Sequence, residues 1–152
     1  MDNQRKYKPF TGKFTGRLDE KNRLTIPASW RASIDNGEDY LAMFYPPSGA
    51  IMIFPPAIAG KITLASEQVP LSNHEGYAVL SRLGECSDTV SCDKAGRITL
   101  RPEMLAQARI LREVRFTGLF RVFQILSTAP PPPDTTSPDA EFFLRALGQI
   151  GL

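Results

Sequence analysis

Asp19 and Arg23, and again Asp93 and Arg97, are the residues of this 152-residue chain whose types and spacing best suit a chemical task. Each pair frames a D-x-x-x-R segment, Asp19-Glu20-Lys21-Asn22-Arg23 and Asp93-Lys94-Ala95-Gly96-Arg97, and the two segments lie 74 residues apart at both ends. Arginine offers a planar fork of donors that matches guanine O6 and N7 in the major groove. A carboxylate four residues earlier can orient that fork, or can merely clasp it as a surface ion pair worth at most about 1 kcal/mol. On the residues alone, both uses stand open. Catalysis is not expected: these carboxylates have cations beside them and make poor general bases, His74 is the sole histidine and lies in a polar context, and no glycine-rich phosphate loop follows a strand. Cys86 and Cys92, with five residues between them, match neither a redox pair nor half a zinc site, so no metal and no cofactor are expected.

The elements that must position the two pairs follow from the turn itself. Aspartate suits the first position of a type I turn, and the last turn position often needs φ > 0. Asn22 and Gly96 stand there, the residue types that visit the left-handed region most cheaply. A three-residue loop of this kind predicts a hairpin mouth with Asp19 opposite Arg23 and Asp93 opposite Arg97. Alternation agrees: Phe14, Gly16, Leu18, Leu24 and Ile26 point inward while Thr15, Arg17, Arg23 and Thr25 point out. In the second copy Val90, Cys92, Ile98 and Leu100 are inward, and Ser91, Arg97 and Thr99 outward. Self-similarity at a fixed offset marks an internal duplication.

The segments FTGRLDEKNRLTIPASWR and GECSDTVSCDKAGRITLRPEML resemble the two repeats of the MraZ proteins, and the resemblance covers roughly Phe10 to Leu126. It implies an α+β fold, a duplicated AbrB-like swapped-hairpin β-barrel with short flanking helices, in which two hairpin repeats of one chain interleave. It also implies a bacterial transcriptional regulator that binds double-stranded DNA at G-rich direct repeats upstream of the division and cell wall gene cluster and assembles as a homo-oligomeric ring. Carried onto this sequence, Arg23 and Arg97 reach DNA, Arg17, Lys21 and Lys94 supply phosphate or edge contacts, and Asp19, Asn22, Asp93 and Gly96 shape the turns and orient the arginines. Three features depart from the pattern: Asn22 where glycine is usual, Arg101 before Pro102, and a proline-rich tail. The runner-up reading is a ring-forming assembly protein whose tail recruits a protein partner.

Charge is divided unevenly along the chain. Residues 1–31 carry eight Lys/Arg against three Asp/Glu and residues 94–121 carry seven against two, whereas residues 32–93 carry two against eight. Basic charge therefore travels with the repeats, as expected of a surface that neutralises phosphates. The first residues are polar and basic with no apolar run, and no stretch approaches a membrane span, so a cytoplasmic, nucleoid-associated protein without membrane contact is expected.

The remaining segments read as supports. We divide the chain into a basic arm (1–9), a first repeat with linker helices (10–85), a second repeat (86–127), and a proline-rich spacer with a short helix (128–152). Short helices are predicted over 27–34, opened by Pro27, and over 102–108, opened by Pro102. Strands are predicted over 40–44, 51–54, 114–117 and 121–125, a proline-opened helix over 55–64, and a helix over 73–83 capped by Asn73 with Tyr77, Leu80 and Leu83 on one face. Trp30 is a core anchor. An amphipathic helix over 139–148, with Phe142, Phe143, Leu144, Leu147 and Ile150 as its apolar residues, is too short to be stable alone and must dock somewhere.

Overall fold

Each D-x-x-x-R segment folds into the turn its residues demand. The computed structural model describes residues 8–31 and 39–149. In it, the Asn22 N–H donates to the Asp19 carbonyl at 3.1 Å and the Gly96 N–H to the Asp93 carbonyl at 3.0 Å. Asn22 sits at φ 60° and Gly96 at φ 80°, as the turn type requires.

In chain order the elements are β1 (Lys13–Arg17), β2 (Arg23–Thr25), α1 (Ala28–Arg31), β3 (Tyr40–Tyr45), β4 (Ala50–Phe54), α2 (Pro56–Ser66) and α3 (His74–Glu85). The second half follows with β5 (Ser87–Val90), β6 (Arg97–Thr99), α4 (Pro102–Gln107), β7 (Glu113–Gly118), β8 (Phe123–Ser127) and α5 (Pro138–Gln149). The Asn73 side chain accepts from the Gly76 N–H and caps α3, and prolines open α2 and α4. The part of the helix expected over 27–34 that lies beyond Arg31 falls outside the described residues, as do residues 1–7 of the basic arm and Ile150.

Strand pairing corrects the sequence reading. The strands flanking each turn do not pair with each other as a hairpin; β1 pairs with β7 and β2 with β6, so each half completes the other. A six-stranded antiparallel sheet runs β1-β7-β8-β4-β3-β5, and β2-β6 forms a separate two-stranded ribbon. The expected barrel is likewise not closed. β1 and β5 stand at opposite ends of the order, and β2 and β6, three residues each, ladder only with one another and cannot bridge them.

The pairing is symmetric about its middle. The partners Leu24↔Ile98 and Ile51↔Ile125 are each separated by 74 residues, the spacing of the turns. Gly16↔Val114 and Val90↔Tyr40 become each other when 74 is added to one partner and subtracted from the other. An approximate two-fold therefore relates the halves.

Both faces of the large sheet are covered at its central strand β4, whose residues are all buried. Ile51 and Ile53 pack toward the ribbon with Leu24, Ile26, Ile98, Leu100 and Trp30, while Met52 and Phe54 pack toward α2, α3 and α5. Trp30 is 2% exposed, donates its indole N–H to the Thr11 carbonyl at 3.0 Å, and lies 4.9–6.0 Å from the rings of Phe10, Phe14, Phe116 and Phe123. Such ring pairs add about 0.5–1.5 kcal/mol each beyond burial. Phe14, expected inward, is 36% exposed because β1 is an outer strand, although its ring still meets Trp30 edge-on.

The tail belongs to the fold. The Ser127 hydroxyl accepts from the Ala129 N–H, Pro131 packs over Gly49, and the Asp134 N–H donates to the Pro46 carbonyl at 3.4 Å. Gly49 sits at φ 71°, and a Cβ there would meet the Pro131 carbonyl at 2.9 Å. The Ser137 hydroxyl accepts from the Ala140 N–H at the start of α5, whose Phe143, Ala146 and Leu147 are buried against Met43, Met52 and Phe54. On α3 only Leu83 of the predicted apolar face is buried, and Tyr77 is 56% exposed.

Candidate nucleic-acid interface

The β2–β6 ribbon has one dry face and one wet face. Leu24 and Ile98, paired across it, are 0% and 1% exposed. The period of two therefore sends Arg23, Thr25, Arg97 and Thr99 to the other side. There Arg23 pairs with Thr99 and Thr25 with Arg97, so the two arginines occupy opposite corners of a four-residue patch. Sequence reasoning had placed them on separate hairpins; strand exchange puts them on one surface.

The turns lock this patch at both ends. The Ile26 N–H donates to the Gly96 carbonyl at 2.8 Å and the Leu100 N–H to the Asn22 carbonyl at 3.0 Å, so each strand is tied to the turn of the opposite half. Asp19 Oδ1 accepts from the backbone N–H groups of Lys21 (2.9 Å) and Arg23 (2.8 Å), while Oδ2 accepts from Arg23 Nε at 2.6 Å. Asp93 repeats the pattern with Ala95, Arg97 and Arg97 Nε at 2.9, 2.9 and 2.8 Å. The backbone N–H of the arginine, reinforced by its guanidinium, holds each carboxyl below the ordinary aspartate value. Each clasp uses Nε, leaving the terminal amino groups of the fork for another acceptor. Arg23 and Arg97 are about a third exposed, at 30% and 33%.

The other basic residues fall in two places. Lys21 and Lys94 are exposed on the turns beside the patch. Arg17 lies in β1, directly across from Glu113, and not on the ribbon. Among the described residues no group of three or more His, Cys, Asp or Glu is placed to hold a metal, and no helix is long and apolar enough to cross a membrane.

No family model matches the chain. Curated relatives do. The protein named Transcriptional regulator MraZ from Mycobacterium sp. (strain KMS) is 30% identical over 120 residues, spanning 79% of this chain and 82% of the relative. The chain belongs to the MraZ family. The protein of that name from Mycobacterium tuberculosis (strain CDC 1551 / Oshkosh) is 28% identical over 116 residues, 76% of this chain and 79% of its own.

One arginine of this MraZ-family chain supports the patch without a motif to announce it. Arg31 donates from Nε to the Ile26 carbonyl at 3.0 Å, and its side chain lies so close to Gly96 that a Cβ there would meet Nε at 2.7 Å. Arg101, one of the departures from the MraZ pattern, pairs with Asp88 at 3.3 Å and ties the start of α4 to β5. Counting 74 residues back from Leu105 reaches Arg31, so the repeat offers no second arginine to align with it, and only the fold reveals its place. Of the two cysteines, Cys92 is half-buried beside the core, and burial raises its thiol above the ordinary value; Cys86 is raised for the same reason.

Proposed function

We propose that this chain is a sequence-specific DNA-binding transcriptional regulator, built as an AbrB-like pair of interleaved repeats. The observation that supports it best is the ribbon face itself: two arginines, each held by its own aspartate, on the wet side of a two-stranded ribbon whose dry side is fixed to the core. A two-stranded ribbon fits the major groove, and an oriented guanidinium can take guanine O6 and N7 together. Lys21 and Lys94 flank this face and supply phosphate contacts, with Arg17 reaching the backbone farther out. Asp19 and Asp93 hold the arginines in place before binding, which lowers the ordering cost of the contact. The relatives' shared name, Transcriptional regulator MraZ, supports the regulatory role.

The fuller reading is a cytoplasmic, nucleoid-associated homo-oligomeric ring that engages short G-rich direct repeats upstream of the division and cell wall gene cluster. Several patches on one assembly would hold tandem sites more tightly than single ones through effective concentration. The rival reading is a scaffold that recruits a partner by its tail, whose α5 is packed on its own sheet. A binding titration over a range of salt tests the proposal: with a duplex of tandem G-rich repeats, log affinity should fall linearly with log salt, and the shuffled duplex should bind more weakly throughout. Absence of retention at low salt would refute it.

A further inference from the structure

The direct repeats of the proposed function concern the spacing between subunits; the ribbon bears on what one subunit reads within one site. We infer that a single chain reads both strands of its duplex with opposite polarity, Arg23 taking a guanine on one strand and Arg97 a guanine on the other. This rests on the DNA-binding reading above and adds a local symmetry to it.

The argument starts from strand register. Leu24 faces Ile98, and stepping one residue either way along the ribbon exchanges Arg23↔Thr99 for Thr25↔Arg97. The approximate two-fold therefore passes through the Leu24–Ile98 pair and carries Arg23 onto Arg97. The supports obey it too: the Asp19 clasp maps onto the Asp93 clasp, and the Ile26-to-Gly96 hydrogen bond onto the Leu100-to-Asn22 bond. Duplex DNA has two-folds of its own perpendicular to its axis, each exchanging the antiparallel strands. When a two-fold element docks in a groove, equivalent side chains meet equivalent positions on opposite strands, and the symmetry of the site mirrors that of the protein. Diagonal neighbours on a ribbon stand roughly 7–8 Å apart, somewhat less at Cβ. With a rise of about 3.4 Å per base pair, that separation plus the reach of two arginines places the guanines a few base pairs apart about a shared dyad.

The symmetry is broken in a specific way. The first turn carries Glu20 and Lys21 where the second carries Lys94 and Ala95, so the Arg97 arm is the more cationic. The two half-contacts are therefore inverted in sequence but unequal in strength, which gives the site a direction and lets successive subunits repeat it head to tail.

The test uses a duplex that the full-length protein itself selects from a randomised library, trimmed to one binding site. Each guanine on either strand is replaced in turn by 7-deazaguanine, which lacks the N7 acceptor but still pairs normally. Sensitive guanines should lie on both strands, each substitution weakening binding about 2- to 12-fold, roughly half of a bidentate contact because O6 still accepts. Arg23→Ala should erase sensitivity on one strand and Arg97→Ala on the other, with thermal melts confirming the fold. Sensitivity to both arginines on one strand, or selection of a duplex with no N7-sensitive guanine, would overturn the inference while leaving DNA binding in place. Failure to select any sequence would overturn the DNA-binding reading as well.

Discussion

Replacing Gly96 with valine should destabilise the protein by about 2–3 kcal/mol, combining two separable terms. The first is backbone strain: Gly96 sits at φ 80°, where a side chain costs roughly 1–2 kcal/mol and a β-branched one fits worst. The second is displacement of Arg31, because the new Cβ would lie 2.7 Å from Nε and 2.8 Å from Cδ. Moving the end of a flexible side chain is cheap in itself, but the Nε bond to the Ile26 carbonyl is lost, worth about 1 kcal/mol. Thermal melts should show Tm lowered by roughly 5–10 °C, at about 2–4 °C per kcal/mol for a chain of this size. Arg31→Ala removes the second term alone, and a double-mutant cycle with Gly96→Val should be non-additive because the two groups touch. A valine variant melting within about 2 °C of the parent, or strict additivity in the cycle, would refute this account of the turn.

Other outcomes follow from the same geometry. Because the Asp19 and Asp93 carboxyls titrate below their unfolded value of about 3.9, their clasps contribute fully above that pH and are lost as pH falls through the lower, folded value; melts should thus be insensitive to these groups from about pH 5 to 8, and a D19N/D93N variant should lose part of the acid limb, an unchanged limb contradicting it. Phe143, 2% exposed in the α5 contact, should cost about 3–5 kcal/mol when cut to alanine, read by denaturant titration with a single transition; a near-neutral result would show the tail to be dispensable. Glu20→Gln should raise DNA affinity at low salt and leave it unchanged at high salt, where exposed charges are screened, and a titration at the two ionic strengths checks it.

The turns were legible because their chemistry is local: Asp, a residue fit for φ > 0 and Arg specify them within five positions. The helix caps and Trp30 were legible for the same reason, as a proline, an asparagine or one large amphipathic ring declares its environment nearby. Strand partners were not. Alternation tells which face Leu24 or Ile98 presents but says nothing of which strand lies beside it, so each turn was read as a hairpin and the sheet as a closed barrel. The β8 strand begins at Phe123 rather than at Arg121 because Phe120 adopts φ 69° and Leu119 donates to the Val122 carbonyl, a turn with no glycine to signal it. The residues of the proposed site could be named from the sequence, but their arrangement could not. That Arg23 and Arg97 share one face, and that Arg31 leans on Gly96, depends on contacts spanning 65 residues or more of chain, which no local pattern encodes.

The most direct test of the central claim is the affinity of the Arg23→Ala/Arg97→Ala double variant for a duplex of tandem G-rich repeats, measured beside the parent at one fixed salt concentration. Both clasps are partly exposed, so their loss should leave the melting curve nearly unchanged. The account predicts a folded protein that has lost about 1–3 kcal/mol of binding per arginine and no longer distinguishes the repeats from a shuffled duplex. A folded double variant that binds the repeats with the affinity and preference of the parent would contradict it.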